Sequence, residues 1–115
     1  FRSWCNPLGE NAEESEFDLA CFKEGICGYW ESAHALWEKE ELLRVPMCVE
    51  RISLELSARY CADALEESYF AWDQDNYASA SLHNFQRALG QFHLSESVQE
   101  RRALAEAVIT DLFVD

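Results

Sequence analysis

The sequence predicts an all-α fold, a compact bundle-like array of four to five helices with a long central helix and disulfide cross-links. Three observations carry that expectation. Apolar residues recur every three or four positions through most of the chain, and alternating patterns rich in Val, Ile and Thr are absent. Residues 47–72 contain neither Gly nor Pro, which makes them the longest helix candidate. All five cysteines, Cys5, Cys21, Cys27, Cys48 and Cys61, fall in the first 61 residues, as in a disulfide framework.

With 115 residues, 49% of them hydrophobic and 27% charged, the chain has material for one core. Residues 1–14 are expected to form an N-terminal arm and residues 15–115 a single helical domain. The Asn6-Pro7 turn and Gly9 keep the arm irregular. From Ser15, read as an N-cap, Phe17, Ala20, Cys21 and Glu24 have helical spacing, and Gly25 and Gly28 limit this first helix to a short one. Trp30, Ala33 and Trp37 predict a second helix over residues 29–45, closed by Pro46 in a sharp turn. Along the third, residues 47–72, Val49, Ile52, Leu56 and Tyr60 form one stripe and Leu54, Cys61, Leu65, Tyr69 and Trp72 a second. Two apolar faces imply a central helix packed on both sides. Beyond the polar break Asp73-Gln74-Asp75-Asn76, Leu82, Phe85, Leu89 and Phe92 predict a fourth helix ending near residues 90–93. A last helix starts at Ser95 or at Ser97, the latter with Glu100 as a capping box, and carries Val98, Ala105, Val108, Ile109 and Leu112.

Geometry constrains the cysteines. None is spaced as the C-x-x-C of redox enzymes and structural zinc sites. A continuous helix would hold Cys48 and Cys61 about 20 Å apart, too far to bond. An antiparallel hairpin folded about Pro46 makes Cys27 the best partner for Cys61, while Cys5 and Cys21 compete for Cys48 or bond each other. The odd count leaves one thiol, either buried or free to link a homodimer. Cysteine usage, together with a chain that begins at Phe1 rather than Met, predicts a secreted or extracytoplasmic protein.

Nine Lys and Arg against 22 Asp and Glu give a formal charge of −13. It is spread evenly, since residues 1–57 carry 5 basic and 12 acidic side chains and residues 58–115 carry 4 and 10. Such a surface repels nucleic acid phosphates and anionic lipid, and no apolar run is long enough for membrane insertion. The expected partner is a protein with a basic surface. Trp4, an aromatic on a polar arm, and the acidic residues Glu38, Glu40 and Glu41 are the binding candidates.

Catalytic chemistry is not expected. His34, His83 and His93 lie outside any nucleophile or metalloprotease motif, and four glycines do not make a phosphate loop. The adjacent acids Glu66 and Glu67 point about 100° apart on a helix and cannot share a substrate. The segment from Tyr69 to Leu82, followed by Phe85 and Leu89, resembles an EF-hand: an aromatic helix end, Asp73 and Asp75 at the first and third loop positions, then an apolar helix. That resemblance covers about a fifth of the chain and implies calcium on Asp73 and Asp75. Ala78 and Asn84 stand where the family places its Gly and bidentate Glu, so no metal ligand or cofactor is assigned. The stretch is read instead as an Asp-rich turn whose carboxylates cap the next helix. The functional expectation is a small, secreted, acidic, disulfide-stabilised, non-enzymatic protein-binding module. Its alternatives are a carrier whose tryptophans, Trp4, Trp30, Trp37 and Trp72, line a hydrophobic cavity, and a reduced structural subunit of an intracellular assembly.

Overall fold

The computed structural model describes residues 1–114; Asp115, the last residue of the predicted domain, lies outside them. Helix α1 (Leu19–Ala33) starts at Asp18 rather than Ser15, because the Asp18 carboxylate accepts the Cys21 amide at 3.0 Å. Gly25 and Gly28 do not stop it. Gly25 lies beneath the arm, where a Cβ would stand 2.9 Å from the Phe1 ring and 3.2 Å from Trp4, so its role is close approach and not helix termination. The second helix expected over residues 29–45 is therefore split. Its start belongs to α1, and the rest forms a 3-10 turn (His34–Leu36) and a single-turn helix α2 (Lys39–Leu42).

Helix α3 (Val45–Glu66) carries Pro46 in its first turn, where the missing N–H has no partner to lose. It ends at Glu67, which adopts the left-handed conformation (φ 51°), before reaching Trp72. Helix α4 (Ala80–Leu112) is capped by Ser79, whose hydroxyl accepts the Leu82 amide at 3.2 Å, and runs unbroken for 33 residues. The predicted fourth and fifth helices are one, and Gly90 sits in its interior. Three helices longer than one turn thus replace the four to five expected, and the longest is α4 and not residues 47–72. Among the described residues there is no strand, and no helix is long and apolar enough to cross a membrane.

The molecule is elongated, 55 × 24 × 21 Å. Helices α3 and α4 pack as an antiparallel hairpin, with Ser57 opposite Ala88 and Glu50 opposite Arg102. Helix α1 lies alongside the C-terminal half of α4 in the parallel sense, since Phe17 meets Ser97 at one end and Trp30 meets Phe113 at the other. Phe17, Phe22, Ile26, Leu42, Val49, Leu94, Val98, Ala105 and Ile109 build the apolar core at this end. Each such side chain stabilises the fold by about 1.5–3 kcal/mol on burial.

Residues 1–18 are not a loose arm. They form a strap that prolongs α1 along α4: Asn11 bonds to His83, His93 bonds to the Glu13 carbonyl, and the Phe17 amide donates to the Ser97 hydroxyl at 2.8 Å. The lengths match, because six extended residues from Asn11 to Phe17 span about 20 Å and fourteen helical ones from His83 to Ser97 about 21 Å. At the crossing point the Ala12 carbonyl lies where any Cβ on residue 90 would fall, which requires Gly90.

The seam between α3 and α4 corrects the two-faced reading of α3. What faces α4 is Val49, Ser53, Ser57, Tyr60 and Asp63, whereas Ile52, Leu54, Cys61, Leu65 and Tyr69 are exposed. On α4 the buried stripe is His83, Asn84, Arg87, Ala88, Gln91, Leu94 and Ser95. The predicted core residues Leu82, Phe85 and Phe92 are 55%, 53% and 44% exposed.

Candidate functional site

Three places on this fold concentrate polar or reactive side chains. The first is the hairpin tip. The Asp63 carboxylate accepts the amides of Ser68, Tyr69 and Phe70 at 2.8–2.9 Å and the Asn84 side chain at 2.9 Å. These bonds outweigh the effect of burial and hold its pKa below the ordinary value. Arg87, almost fully buried, bonds to Asn84 and to the Ala71 carbonyl and lies 4.6 Å over the Tyr60 ring. His83 stacks on Tyr77 at 4.0 Å, accepts the Asp73 amide at Nδ1 and donates through Nε2 to Asn11 at 2.7 Å. Burial, and then the Arg87 charge, depress its pKa. Every one of these groups is engaged in tying the loop of residues 67–79 and the strap to the hairpin, which makes the network a clasp.

Asp73 belongs to the same loop. Its Oδ1 accepts the amides of Asp75 and Asn76 and its Oδ2 the Asn76 side chain, so both oxygens close their own turn. The next helix is capped by Ser79 and not by an Asp, contrary to the sequence reading. The residues do not fit calcium: Asp75 is exposed, and among the described residues no group of three or more His, Cys, Asp or Glu is arranged to hold a metal.

The cysteines are the second place. All five are free thiols and no pair stands at disulfide distance, so the expected cross-links are not formed. The Cys27–Cys61 pairing presupposed a hairpin of two helices about Pro46, and that hairpin does not exist because residues 29–45 are split. Cys48 and Cys61 are exposed, Cys27 is half-buried, and Cys5 and Cys21 are within hydrogen-bonding reach of each other. Burial, the hydrogen bond to Cys21 and the nearby Cys21 and Asp18 charges push the Cys5 thiol up to about 12. Cys21 donates to the Trp4 carbonyl at 3.4 Å. Trp4 itself is 71% exposed. Glu38 and Glu41 are occupied in a reciprocal capping box at α2, and Glu40 is exposed beside them. Trp30 packs on Phe113, and Trp37 donates to the Tyr29 hydroxyl at 3.0 Å.

The third place is a groove that sequence reasoning missed. Turning about 100° per residue along α4, the strap occupies the stripe of His83, Gly90 and Ser97, and α3 occupies that of Asn84 and Ala88, while Gln91 accepts from Arg2 of the strap. The remaining stripe, Leu82, Phe85, Leu89, Phe92, Glu96 and Glu100, is left open. Two clefts run along it. One of about 410 Å³ is lined by Glu13, Tyr77, Ala78, Leu82, Phe85 and Leu89. The other, of about 450 Å³, is lined by Leu8, Glu14, Glu16, His93, Glu96, Glu100 and Arg101. The apolar residues were visible as a stripe but assigned to the core; the cue to the contrary was the small and polar stripe beside them, Asn84, Ala88, Gly90 and Ser95. Compared with known proteins, the chain matches no family model, no curated protein and no solved structure, so its function has to be argued from this geometry.

Proposed function

We propose that this chain is a non-enzymatic protein-binding module that engages a partner with a basic surface. The observation that carries the reading is the open stripe of α4, where half-exposed apolar side chains pass directly into carboxylates that pair with no Lys or Arg among the described residues, on a molecule of net charge −13. Exposed apolar surface framed by one sign of charge is the pattern of a recognition face. The test is to immobilise the protein, purify what it captures and titrate each captured protein singly. A basic partner whose affinity falls about tenfold or more with rising ionic strength is expected. Affinity indifferent to salt, or no partner that survives titration, overturns the reading.

In this reading the protein is secreted or extracytoplasmic, and Cys5 and Cys21 are the pair that closes there. Their oxidation passes two electrons and two protons to an oxidant such as a small-molecule disulfide, which leaves as two thiols. A loop of this size would add about 3 kcal/mol by the chain-entropy account. A second reading, a reduced subunit of an intracellular assembly, is favoured by the five free thiols and by exposed Leu54, Leu65 and Tyr69. Unfolding the protein in denaturant without reductant, alkylating it and weighing it separates the two: three adducts favour the first, five the second.

A further inference from the structure

We propose that the stripe of α4 from Leu82 to Glu100, walled on one side by the strap, is the seat of a basic amphipathic helix supplied by the partner protein. This rests on the protein-binding reading and names the partner's chemistry and its place. The stripe is about 27 Å long, the length of an 18-residue helix. Its first half offers Leu82, Phe85, Leu89 and Phe92, which suit apolar anchors at i, i+3, i+7 spacing. Its second half is flanked by Glu14, Glu96 and Glu100, and Glu13 lines the first. All four are exposed, and among the described residues none pairs with a Lys or Arg. The one guanidinium in the cleft, Arg101, is already bonded to Glu16.

Charge decides the occupant. A second copy of the chain would bring another −13 against these carboxylates, its nine Lys and Arg being outnumbered by 22 Asp and Glu. Nucleic acid and anionic lipid carry the same sign as the groove. A helix with a Leu-type stripe and Lys or Arg towards one end satisfies both halves at once.

The test uses the full chain, isotopically labelled, and two synthetic probes of identical composition. One peptide carries leucines at i, i+3, i+7 and i+10 among lysines; the other has the same residues scrambled. The patterned peptide is expected to bind at one site and to shift the amide resonances of residues 82–100 and 8–16. Phe85→Asp should weaken it about tenfold or more, and the double variant Glu96→Gln with Glu100→Gln should weaken it severalfold and flatten its salt dependence. These side chains are exposed, so the variants should retain the parent's far-UV circular dichroism. Equal binding of both peptides, or shifts confined to Trp4 and α2, would overturn the groove while leaving the protein-binding reading in place. Neither peptide binding at low ionic strength would also overturn the groove. If the protein sediments as a dimer that Phe85→Asp dissociates, the face belongs to a second copy and the proposal fails.

Discussion

The two ends of this molecule are held by different physics. At the α1 end, Phe17, Phe22, Ile26, Leu42, Val49, Leu94, Val98, Ala105 and Ile109 fill a dry core in which shape and volume decide what fits. At the hairpin tip the buried residues are Tyr60, Asp63, His83, Asn84 and Arg87, and what decides there is hydrogen-bond pairing, in which only Arg87 Nε among their buried side-chain atoms has no partner. The first end should forgive a change of chemistry that keeps volume. The second should forgive neither a change of charge nor the loss of one partner.

The largest expected effect is at the apolar end. Phe22 is fully buried, with Phe1 and Phe17 rings at 5.1 and 5.4 Å, and Phe22→Ala should cost about 3–5 kcal/mol in urea unfolding. Phe22→Leu should cost much less, about 1.5 kcal/mol or below. Asp63→Asn gives the opposite pattern. It conserves shape, but the new NH₂ must face the Phe70 amide and the Asn84 side chain, or else those of Ser68 and Tyr69. Fast hydrogen exchange at Ser68, Tyr69 and Phe70 is expected in that variant alone. Protection equal to the parent's would remove the contrast.

A smaller and reversible effect separates the ends by pH. Burial and the Arg87 charge hold His83 below the ordinary 6.5 of histidine, against the opposing pull of Asp73 and Glu10. In the window between that lowered value and 6.5 the unfolded chain binds the proton that the folded chain refuses. The His83 contribution is therefore whole above 6.5 and declines as pH falls below it. Protonation also removes the Nδ1 lone pair that accepts the Asp73 amide. The Asp63 contribution, with its pKa depressed by hydrogen bonds, persists to still lower pH and is lost only as pH falls below 3.8. Acidification from about pH 7 to about pH 5 should loosen the contacts of Asn11 and Asp73 while the α1 end keeps its protection, as hydrogen exchange would show. A tip indifferent to that change would mean His83 does not hold the strap.

The same contrast explains what was legible in the sequence. The helical class follows from 3.6-residue periodicity, which survives errors in every boundary. The boundaries failed where glycine was taken as a break. Gly25 and Gly90 cost about 1 kcal/mol each relative to Ala in a helix, and at both the strap packs where a side chain would have stood. The stripe on α4 failed because hydropathy ranks Leu82, Phe85 and Phe92 above Asn84, Arg87 and Gln91. Mutual satisfaction across the seam, such as Asp63 with Asn84, is a pairwise property that no single-residue scale carries. The groove inherits this blindness, since it exists only once the path of residues 8–16 is known. Trp4, Glu38, Glu40 and Glu41 are exposed, but the capping box of Glu38 and Glu41 was hidden in what read as a charge run.

The smallest effects test the seam one hydrogen bond at a time. Ser57 and Ser53 are one turn apart on α3 and both are buried, yet their hydroxyls do different things. Ser57 donates to the Ala88 carbonyl of α4 at 2.7 Å, a bond between helices. Ser53 donates back to the Val49 carbonyl of its own helix at 2.8 Å, whose backbone bond exists without it. Ser57→Ala should therefore cost about 0.5–1.5 kcal/mol, while Ser53→Ala should lie within about 0.5 kcal/mol of the parent because better helix propensity offsets the lost bond. Equal costs would mean that the serines serve the seam only as small side chains, letting α3 and α4 approach. Unequal costs in the stated order would place the specificity of this pairing in its polar contacts, as the whole tip implies.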